Sequence, residues 1–172
     1  MARRAARGDR EAIKSLYEEY SEQLFAVAYR LTESSADARD VLHDVFCELP
    51  RAIRGFDRAR PLGPWLRAVA SRAALDQVRT ERRRREIPIG SAPDELPEEA
   101  SPEFPVLNSM VVERALSLLP EELRTVVVLK EMEGYSHRQI AELLDISPRT
   151  SERRLHEARE FLRAELFDGK EM

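Results

Sequence analysis

Apolar residues recur at three- and four-residue steps along most of the chain, which is the period of an amphipathic helix. In the N-terminal half this pattern predicts helices over roughly residues 9–32, 34–50 and 64–85. Ser34 and Asp37 have the spacing of a capping box, which favours a helix start at this point. No segment alternates apolar and polar residues as a strand does, and so the sequence predicts an all-α fold.

The same period resumes in the C-terminal part of the chain. It predicts helices over 111–119 and 120–134, a short helix after Ser136, and a last helix from Ser147 to about residue 167. Ser136 and Gln139 have the spacing of a second capping box, and Ser147 precedes a proline that suits a first helical turn. A short capped helix, a tight turn and a second helix are the pattern of a helix-turn-helix.

The segment between the two helical parts has a different composition. Prolines and acidic residues alternate from 86 to 105 without a single positive residue. Such a composition cannot bury enough apolar surface to order itself. The sequence therefore predicts two small helical domains, 1–85 and 108–172, joined by a flexible acidic Pro-rich linker over 86–107.

Length and composition narrow the class of protein. A chain of 172 residues suits one large or two small domains. It contains no uncharged apolar run of about 18 residues, and its N-terminal arginines lead into no apolar segment, so we expect a cytoplasmic protein without membrane insertion or a signal peptide. The single cysteine, Cys47, excludes an internal disulfide.

A catalytic function is disfavoured by the residue inventory. The three histidines fall on three different predicted helices, and the sequence has neither a metal-ligand spacing nor a glycine-rich phosphate loop. His43 and Cys47 are four residues apart and would supply two metal ligands at best. We therefore expect no enzyme activity, no cofactor and no metal.

Positive charge is concentrated in one segment, although the net charge is −4. Residues 51–85 contain 11 arginines against three acids, and guanidinium groups suit phosphate and base-edge contacts. Phe56 and Trp65 lie in the same segment, where aromatic rings between arginines are typical of single-stranded DNA binding. The alternative is that both rings belong to the hydrophobic core.

The predicted helix-turn-helix is the second candidate for DNA contact, because its last helix can lie in a major groove. The alternative is an ordinary helical hairpin with a charged solvent face. The exposed face would offer Arg149, Thr150, Glu152, Arg153, Arg154, His156 and Arg159.

The order of these motifs resembles the extracytoplasmic-function (ECF) group of bacterial sigma factors in the sigma-70 family, which are initiation subunits of RNA polymerase. The resemblance covers nearly the whole chain. It rests on the stretches at 38–46, 63–76, 119–126, 134–136, 140–144 and 150–159. It implies a sigma factor that recognises the −35 and −10 promoter elements and promotes DNA melting, with a sigma-like module that binds an anti-sigma factor without DNA as the alternative.

The resemblance also implies partners and site residues. The partners are core RNA polymerase, through its β′ clamp helices and β flap, promoter DNA, and an anti-sigma factor. The residues implied to dock on polymerase are Asp40, His43, Asp44, Phe46 and Leu49. The −10 element, including a base that flips into the 55–61 loop, is implied to contact Phe56, Arg58, Arg60, Trp65, Arg67, Arg72, Asp76 and Arg79. The −35 element is implied to contact Arg149, Thr150, Ser151, Arg153, Arg154, His156 and Arg159.

Some positions depart from the pattern of this family. Asp145 stands where glycine is usual in the turn, which is tolerable because aspartate adopts left-handed conformations more readily than most residues. Ser151 stands where a valine is commonly buried. Glu152 and Glu157 stand where basic residues are frequent, and these changes bear on the −35 contacts more than on the fold.

Overall fold

The structure of the protein is a computed structural model that describes residues 1–86 and 110–168. Every regular element in these residues is a helix, as the apolar periodicity predicts. Contacts between Cα atoms divide the chain into two compact units, Met1–Val106 and Leu107–Met172. The predicted linker over 86–107 lies outside the described residues, apart from the backbone of its first residue.

The first unit consists of three long helices and two short elements. The elements are α1 (Ala2–Ala5), α2 (Arg10–Thr32), α3 (Ser35–Ala52), a 3₁₀ turn (Ile53–Gly55) and α4 (Leu62–Glu86). The three long helices agree with the sequence prediction. Helix α1 carries too few residues for a periodic signal. Helix α3 continues two residues beyond Pro50, since a proline in the last turn removes only one backbone hydrogen bond.

Helix α2 packs against both α3 and α4 and supplies much of the core of this unit. Leu16, Leu24 and Leu31 of α2 are almost fully buried, and each such side chain contributes roughly 1.5–3 kcal/mol through the apolar area it removes from water. Gly63 allows α4 to begin close to α2, because a Cβ at this position would lie 3.1 Å from Cε1 of Tyr20.

The N-terminus of α3 has half of the predicted capping box. Ser34 Oγ accepts a hydrogen bond from the backbone N–H of Asp37 at 3.1 Å. The Asp37 carboxylate instead accepts from Gln77 Nε2 of α4 at 3.1 Å. It therefore ties two helices together rather than closing the box.

The second unit contains a helix-turn-helix. Its elements are α5 (Met110–Leu118), α6 (Glu121–Val127), a π-helical segment (Val128–Met132), α7 (His137–Leu144) and α8 (Pro148–Asp168). The helix predicted over 120–134 is α6 together with the π-helical segment. Helices α6 and α7 both pack against α8, with Ile140 and Leu155 buried between them.

The caps of the helix-turn-helix form as the sequence predicts. Ser136 Oγ accepts from the N–H of Gln139 at 3.2 Å, and Gln139 Oε1 accepts from the N–H of Ser136 at 2.9 Å, which completes the capping box. Asp145 ends α7 in the left-handed region, at φ 53° and ψ 48°. Ser147 Oγ accepts from the N–H of Thr150 at 3.0 Å and so caps α8.

Candidate nucleic-acid interface

The N-terminal half of α8 presents most of the residues predicted to contact the −35 element. Arg149, Arg153, His156 and Arg159 are exposed, and Thr150 is half-buried. The hydroxyl of Thr150 lies 2.8 Å from that of Ser147, so part of its hydrogen-bonding capacity is used within the cap.

An open depression lies at the start of this helix. It is lined by Ser147, Arg149, Thr150, Glu152 and Arg153. The backbone N–H groups at the beginning of a helix and two guanidinium groups both attract anions, while the Glu152 carboxylate adds a hydrogen-bond acceptor. The depression therefore combines positive charge with one negatively charged acceptor, a combination that suits phosphates and base edges together.

Two arginines of α8 form ion pairs with the preceding helical segment. Arg154 Nη2 lies 2.5 Å from Glu122 Oε2 of α6, and only 18% of the Arg154 side chain is exposed. Arg159 Nη2 lies 2.6 Å from Glu131 Oε1 of the π-helical segment. Spacing rules do not reveal these acidic partners, because they lie 32 and 28 residues away along the chain.

Ser151 does not belong to the exposed face, and its contact with the −35 element stays a prediction, which the burial of its side chain disfavours. Its side chain is fully buried, and its hydroxyl oxygen lies 2.9 Å from Nδ1 of His137 in α7. The cause is helical phase, since Ser151, Leu155 and Ala158 follow one another at steps of four and three residues and face the core together. The residue joins the two helices of the helix-turn-helix.

Helix α4 presents a second polar face, in the other unit. Trp65 is half-buried, and Arg72, Asp76 and Arg79 are exposed at spacings that align them with it along one side of the helix. Arg79 Nη1 donates to Asp76 Oδ1 at 3.1 Å. Arg67 is half-buried and lies about 200° around the helix from Trp65, so it does not share this face.

The loop before α4 separates the predicted aromatic and basic contacts. Phe56 is only 9% exposed and packs on Trp65, with ring centroids 5.0 Å apart and planes inclined by 48°. Because the ring lies in the core, its burial disfavours a direct contact of Phe56 with the −10 element, which stays a prediction. Arg58 and Arg60 are exposed, and Arg60 Nε lies 3.6 Å from Asp57 Oδ2.

Helix α3 separates the residues predicted to dock on polymerase into two groups. Asp40, His43 and Asp44 are exposed. Phe46 and Leu49 are buried, at 9% and 1% exposure. This burial disfavours a direct contact with polymerase, which stays a prediction. They lie on the apolar stripe of α3, where the ring of Phe46 meets that of Tyr17 edge to face at 4.9 Å.

Other site chemistries find little support in the part of the chain that the structure describes. His43 Nε2 lies 3.4 Å from the exposed Sγ of Cys47, but no third potential ligand completes a metal-binding group among these residues. None of the described helices combines the length and the apolar composition that a membrane span requires.

Family models match both units. The model "Sigma-70 region 2" matches residues 16–84, and the model "Sigma-70, region 4" matches residues 109–162. The first match includes α3 and most of α4, and the second includes α7, the turn and α8 as far as residue 162.

Individual proteins match over almost the full length. The chain is 33% identical over 168 residues to the ECF RNA polymerase sigma factor SigL of Mycobacterium tuberculosis, covering 94% of this chain and 93% of SigL. It is 27% identical over 175 residues to the ECF RNA polymerase sigma factor SigW of Bacillus subtilis, covering 94% and 92%.

Solved structures agree with these matches. CnrH, solved in complex with the cytosolic domain of CnrY, is 25% identical, with a TM-score of 0.56 and coverage of 98% of this chain and 96% of that chain. The sigma factor RpoE of Bartonella quintana, solved with the anti-sigma factor NepR, has a TM-score of 0.58 at 20% identity over 91% of this chain and 97% of that chain. The second likeness concerns the fold alone.

Proposed function

The chain belongs to the extracytoplasmic-function group of the sigma-70 family, and from this premise we propose which of its surfaces act in transcription initiation. It is an alternative sigma factor. As such it acts with core RNA polymerase at promoter DNA. We propose that its role is binding and regulation rather than catalysis. We also propose that it acts in the cytoplasm, where RNA polymerase binds the chromosome.

We assign upstream recognition, at the −35 element, to the depression at the start of α8. The observation that carries this assignment is the capped helix-turn-helix that leaves Arg149 and Arg153 exposed beside the N-terminus of α8. Exposed guanidinium groups at this end of a recognition helix suit the O6 and N7 acceptors of guanine and the flanking phosphates. Arg154 and Arg159 reach the same groove only if they leave Glu122 and Glu131 or share their guanidinium groups with phosphates.

We assign contact with the melted −10 element to the face of α4 that carries Trp65, Arg72 and Arg79, together with Arg58 and Arg60 of the preceding loop. Arginines along one helix side follow a phosphate backbone, and the exposed part of the Trp65 indole offers a surface on which a base stacks. The buried ring of Phe56 packs against Trp65 and so holds the indole in place. Phe56 contacts a base only if the loop rearranges on DNA.

We assign docking on the polymerase clamp helices to the exposed side of α3, around Asp40, His43 and Asp44. Two carboxylates on an exposed helix side suit a basic partner surface. Phe46 and Leu49 act beneath this side by holding α3 against its own core.

Run-off transcription with core RNA polymerase tests the proposed function. The template is the genomic region upstream of the coding sequence, and the expected result is a discrete transcript that depends on this chain. Loss of the transcript when Arg149 is replaced by alanine supports the α8 assignment, with Lys14→Ala on α2 as the control for the loss of one exposed positive charge. A chain that binds core polymerase but directs no specific start from any genomic fragment contradicts the proposal.

One comparison supports a second candidate, in which the chain is a protein-binding module. CnrH is solved in complex with the cytosolic domain of CnrY, and we propose that this chain likewise binds a regulatory protein, such as an anti-sigma factor. Such a partner is compatible with the sigma factor function. It replaces that function only if the chain binds the partner and neither core polymerase nor promoter DNA.

A further inference from the structure

Most charged side chains of α8 neutralise one another or a neighbouring element. Four of its arginines have acidic partners within the described residues: Arg153 with Glu157 at 3.7 Å, Arg154 with Glu122 at 2.5 Å, Arg159 with Glu131 at 2.6 Å and Arg163 with Glu160 at 2.6 Å. Glu152 differs from these acids. It is exposed and forms no ion pair or hydrogen bond with any residue that the structure describes.

Glu152 lacks a partner among the described residues, although a suitable one lies close by. It lines the depression at the start of α8 beside Arg149, three residues away, where helical side chains are neighbours with Cβ atoms about 5–6 Å apart. An ion pair between the two is sterically available, yet within the described residues Arg149 has none either. One donor group and one acceptor group therefore face outward together from the first two turns of α8.

A carboxylate on a DNA-facing surface needs a donor on the DNA. Phosphates repel it, and the major-groove edges of guanine and thymine present acceptors and a methyl group. Adenine presents a donor at N6, but its N7 acceptor lies next to it and repels the second carboxylate oxygen. Cytosine presents its N4 amino group with no acceptor on the same base edge, so it is the base that suits an ionised glutamate best.

From this chemistry we infer that Glu152 is a specificity-determining residue that accepts a hydrogen bond from N4 of a cytosine in the upstream promoter element. Arg149, on the same side, reads a guanine at the same or an adjacent base pair. The inference rests on the proposed role of α8 in upstream recognition. It adds to that role a base preference and a residue that selects it.

The inference predicts a change of preference at one position, not a general change of affinity. Removing the carboxylate lowers discrimination for cytosine at that position by about fivefold to tenfold, the lower part of the range for a base contact. Glutamine matches the donor and acceptor pattern of adenine, so Glu152→Gln moves the preference from cytosine towards adenine, whereas Glu152→Ala removes it. Simple repulsion of phosphate predicts instead that both variants bind every sequence more tightly.

The test uses holoenzyme assembled from core RNA polymerase and the full chain, and duplex DNA with a randomised upstream region. Relative affinities for the four bases are measured at each position for the parent, Glu152→Gln, Glu152→Ala and Glu165→Gln. Glu165 is an exposed acid without an ion pair in the described residues, about 20 Å further along α8, and so controls for net charge. We expect Glu165→Gln to keep the preference of the parent.

Two kinds of result overturn the inference, and only the second also contradicts the proposed role of α8. A parent preference that both Glu152 variants retain, or a uniform rise in affinity across the library, contradicts the role of Glu152 alone. A parent holoenzyme that transcribes but has no base preference upstream contradicts the assignment of α8 to the −35 element, and the inference fails with it.

Discussion

Individual side chains in the helix-turn-helix divide between holding the unit together and facing outward. The buried hydroxyl of Ser151 and the ring of His137 join α8 to α7, while Glu122 holds the guanidinium of Arg154 close to α6. Arg149 and Glu152 face outward. A residue's position around α8 therefore decides whether it faces the core or the solvent.

Ser151→Ala is expected to lower the free energy of unfolding by about 1 kcal/mol, because it removes the hydrogen bond of a buried hydroxyl and leaves the partly buried His137 ring without it. Urea unfolding of the full chain measures the change. Ser117→Ala is the matched control, since that hydroxyl is exposed and bonds only to a carbonyl of its own helix. Ser151→Ala should leave the base preference of the holoenzyme at the −35 element unchanged. A selective loss of that preference would mean that Ser151 contacts DNA.

At the N-terminus, Arg4 and Asp9 form a small charged cap. Arg4 Nε donates to Asp9 Oδ2 at 2.6 Å, and Asp9 Oδ1 accepts from the N–H of Ala12 at 3.2 Å, which caps α2. The hydrogen bond from Arg4, followed by that from the backbone of Ala12, lowers the pKa of the Asp9 carboxyl below its ordinary value.

The lowered pKa predicts a pH dependence with a definite sign. The stabilisation from ionised Asp9 is fully present above the unfolded pKa, about 3.9, and is lost as the pH falls through the lower pKa of the folded state. Arg4→Ala removes the main cause, and so the carboxyl of Asp9 should titrate at a higher pH in this variant. NMR titration of the Asp9 side chain measures both midpoints. Equal midpoints would mean that Arg4 does not stabilise the carboxylate in solution.

At the scale of helices and turns, local signals in the sequence predict most of the structure. The three long helices of the first unit, the capping box at Ser136 and the left-handed turn at Asp145 follow from spacing and residue type alone. Contacts between distant parts of the chain do not. The sequence does not indicate that Glu122 meets Arg154 or that Phe56 packs on Trp65, because side-chain periodicity within one helix carries no information on partners outside that helix.

The periodicity also limits how well the candidate sites could be assigned. Each residue along a helix is rotated by about 100° from the one before it. A set of predicted contacts taken from consecutive residues of α8 therefore includes residues such as Ser151 that point inward. The same reasoning applies to α3, where the buried Phe46 and Leu49 follow the exposed predicted contacts Asp40, His43 and Asp44 on the same helix. Burial separates the two groups only once the packing partners of each helix are known.

The turn of the helix-turn-helix offers a test at this scale. Asp145 has a positive φ, and glycine adopts this conformation without the steric cost of a Cβ atom. Asp145→Gly is therefore expected to raise the free energy of unfolding by about 0.5 kcal/mol or more, whereas Asp145→Ala lowers it, since alanine pays the left-handed cost of roughly 1–2 kcal/mol in full. Thermal unfolding of the two variants measures the difference. If the two substitutions have the same sign, the turn in solution is not left-handed at this residue.

At the scale of the whole molecule, the proposed promoter contacts are divided between the two units. Region 2 includes the α4 face, and region 4 includes the start of α8. Recognising a duplex upstream element and binding a melted strand are separate steps, because the first reads base edges in the major groove and the second binds unstacked bases. Substitutions in the two units should therefore affect transcription in different ways.

The most direct test of this division compares two arginine-to-alanine variants on two templates. Arg149→Ala in α8 and Arg72→Ala in α4 are assembled with core polymerase and assayed by run-off transcription on a duplex promoter and on the same promoter with a premelted −10 region, with Lys14→Ala as the control. We expect both variants to transcribe poorly from the duplex, and the premelted template to restore Arg72→Ala much more than Arg149→Ala. Equal restoration of the two variants, or parent-like transcription by both, would contradict the assignment of upstream recognition and strand binding to these two surfaces.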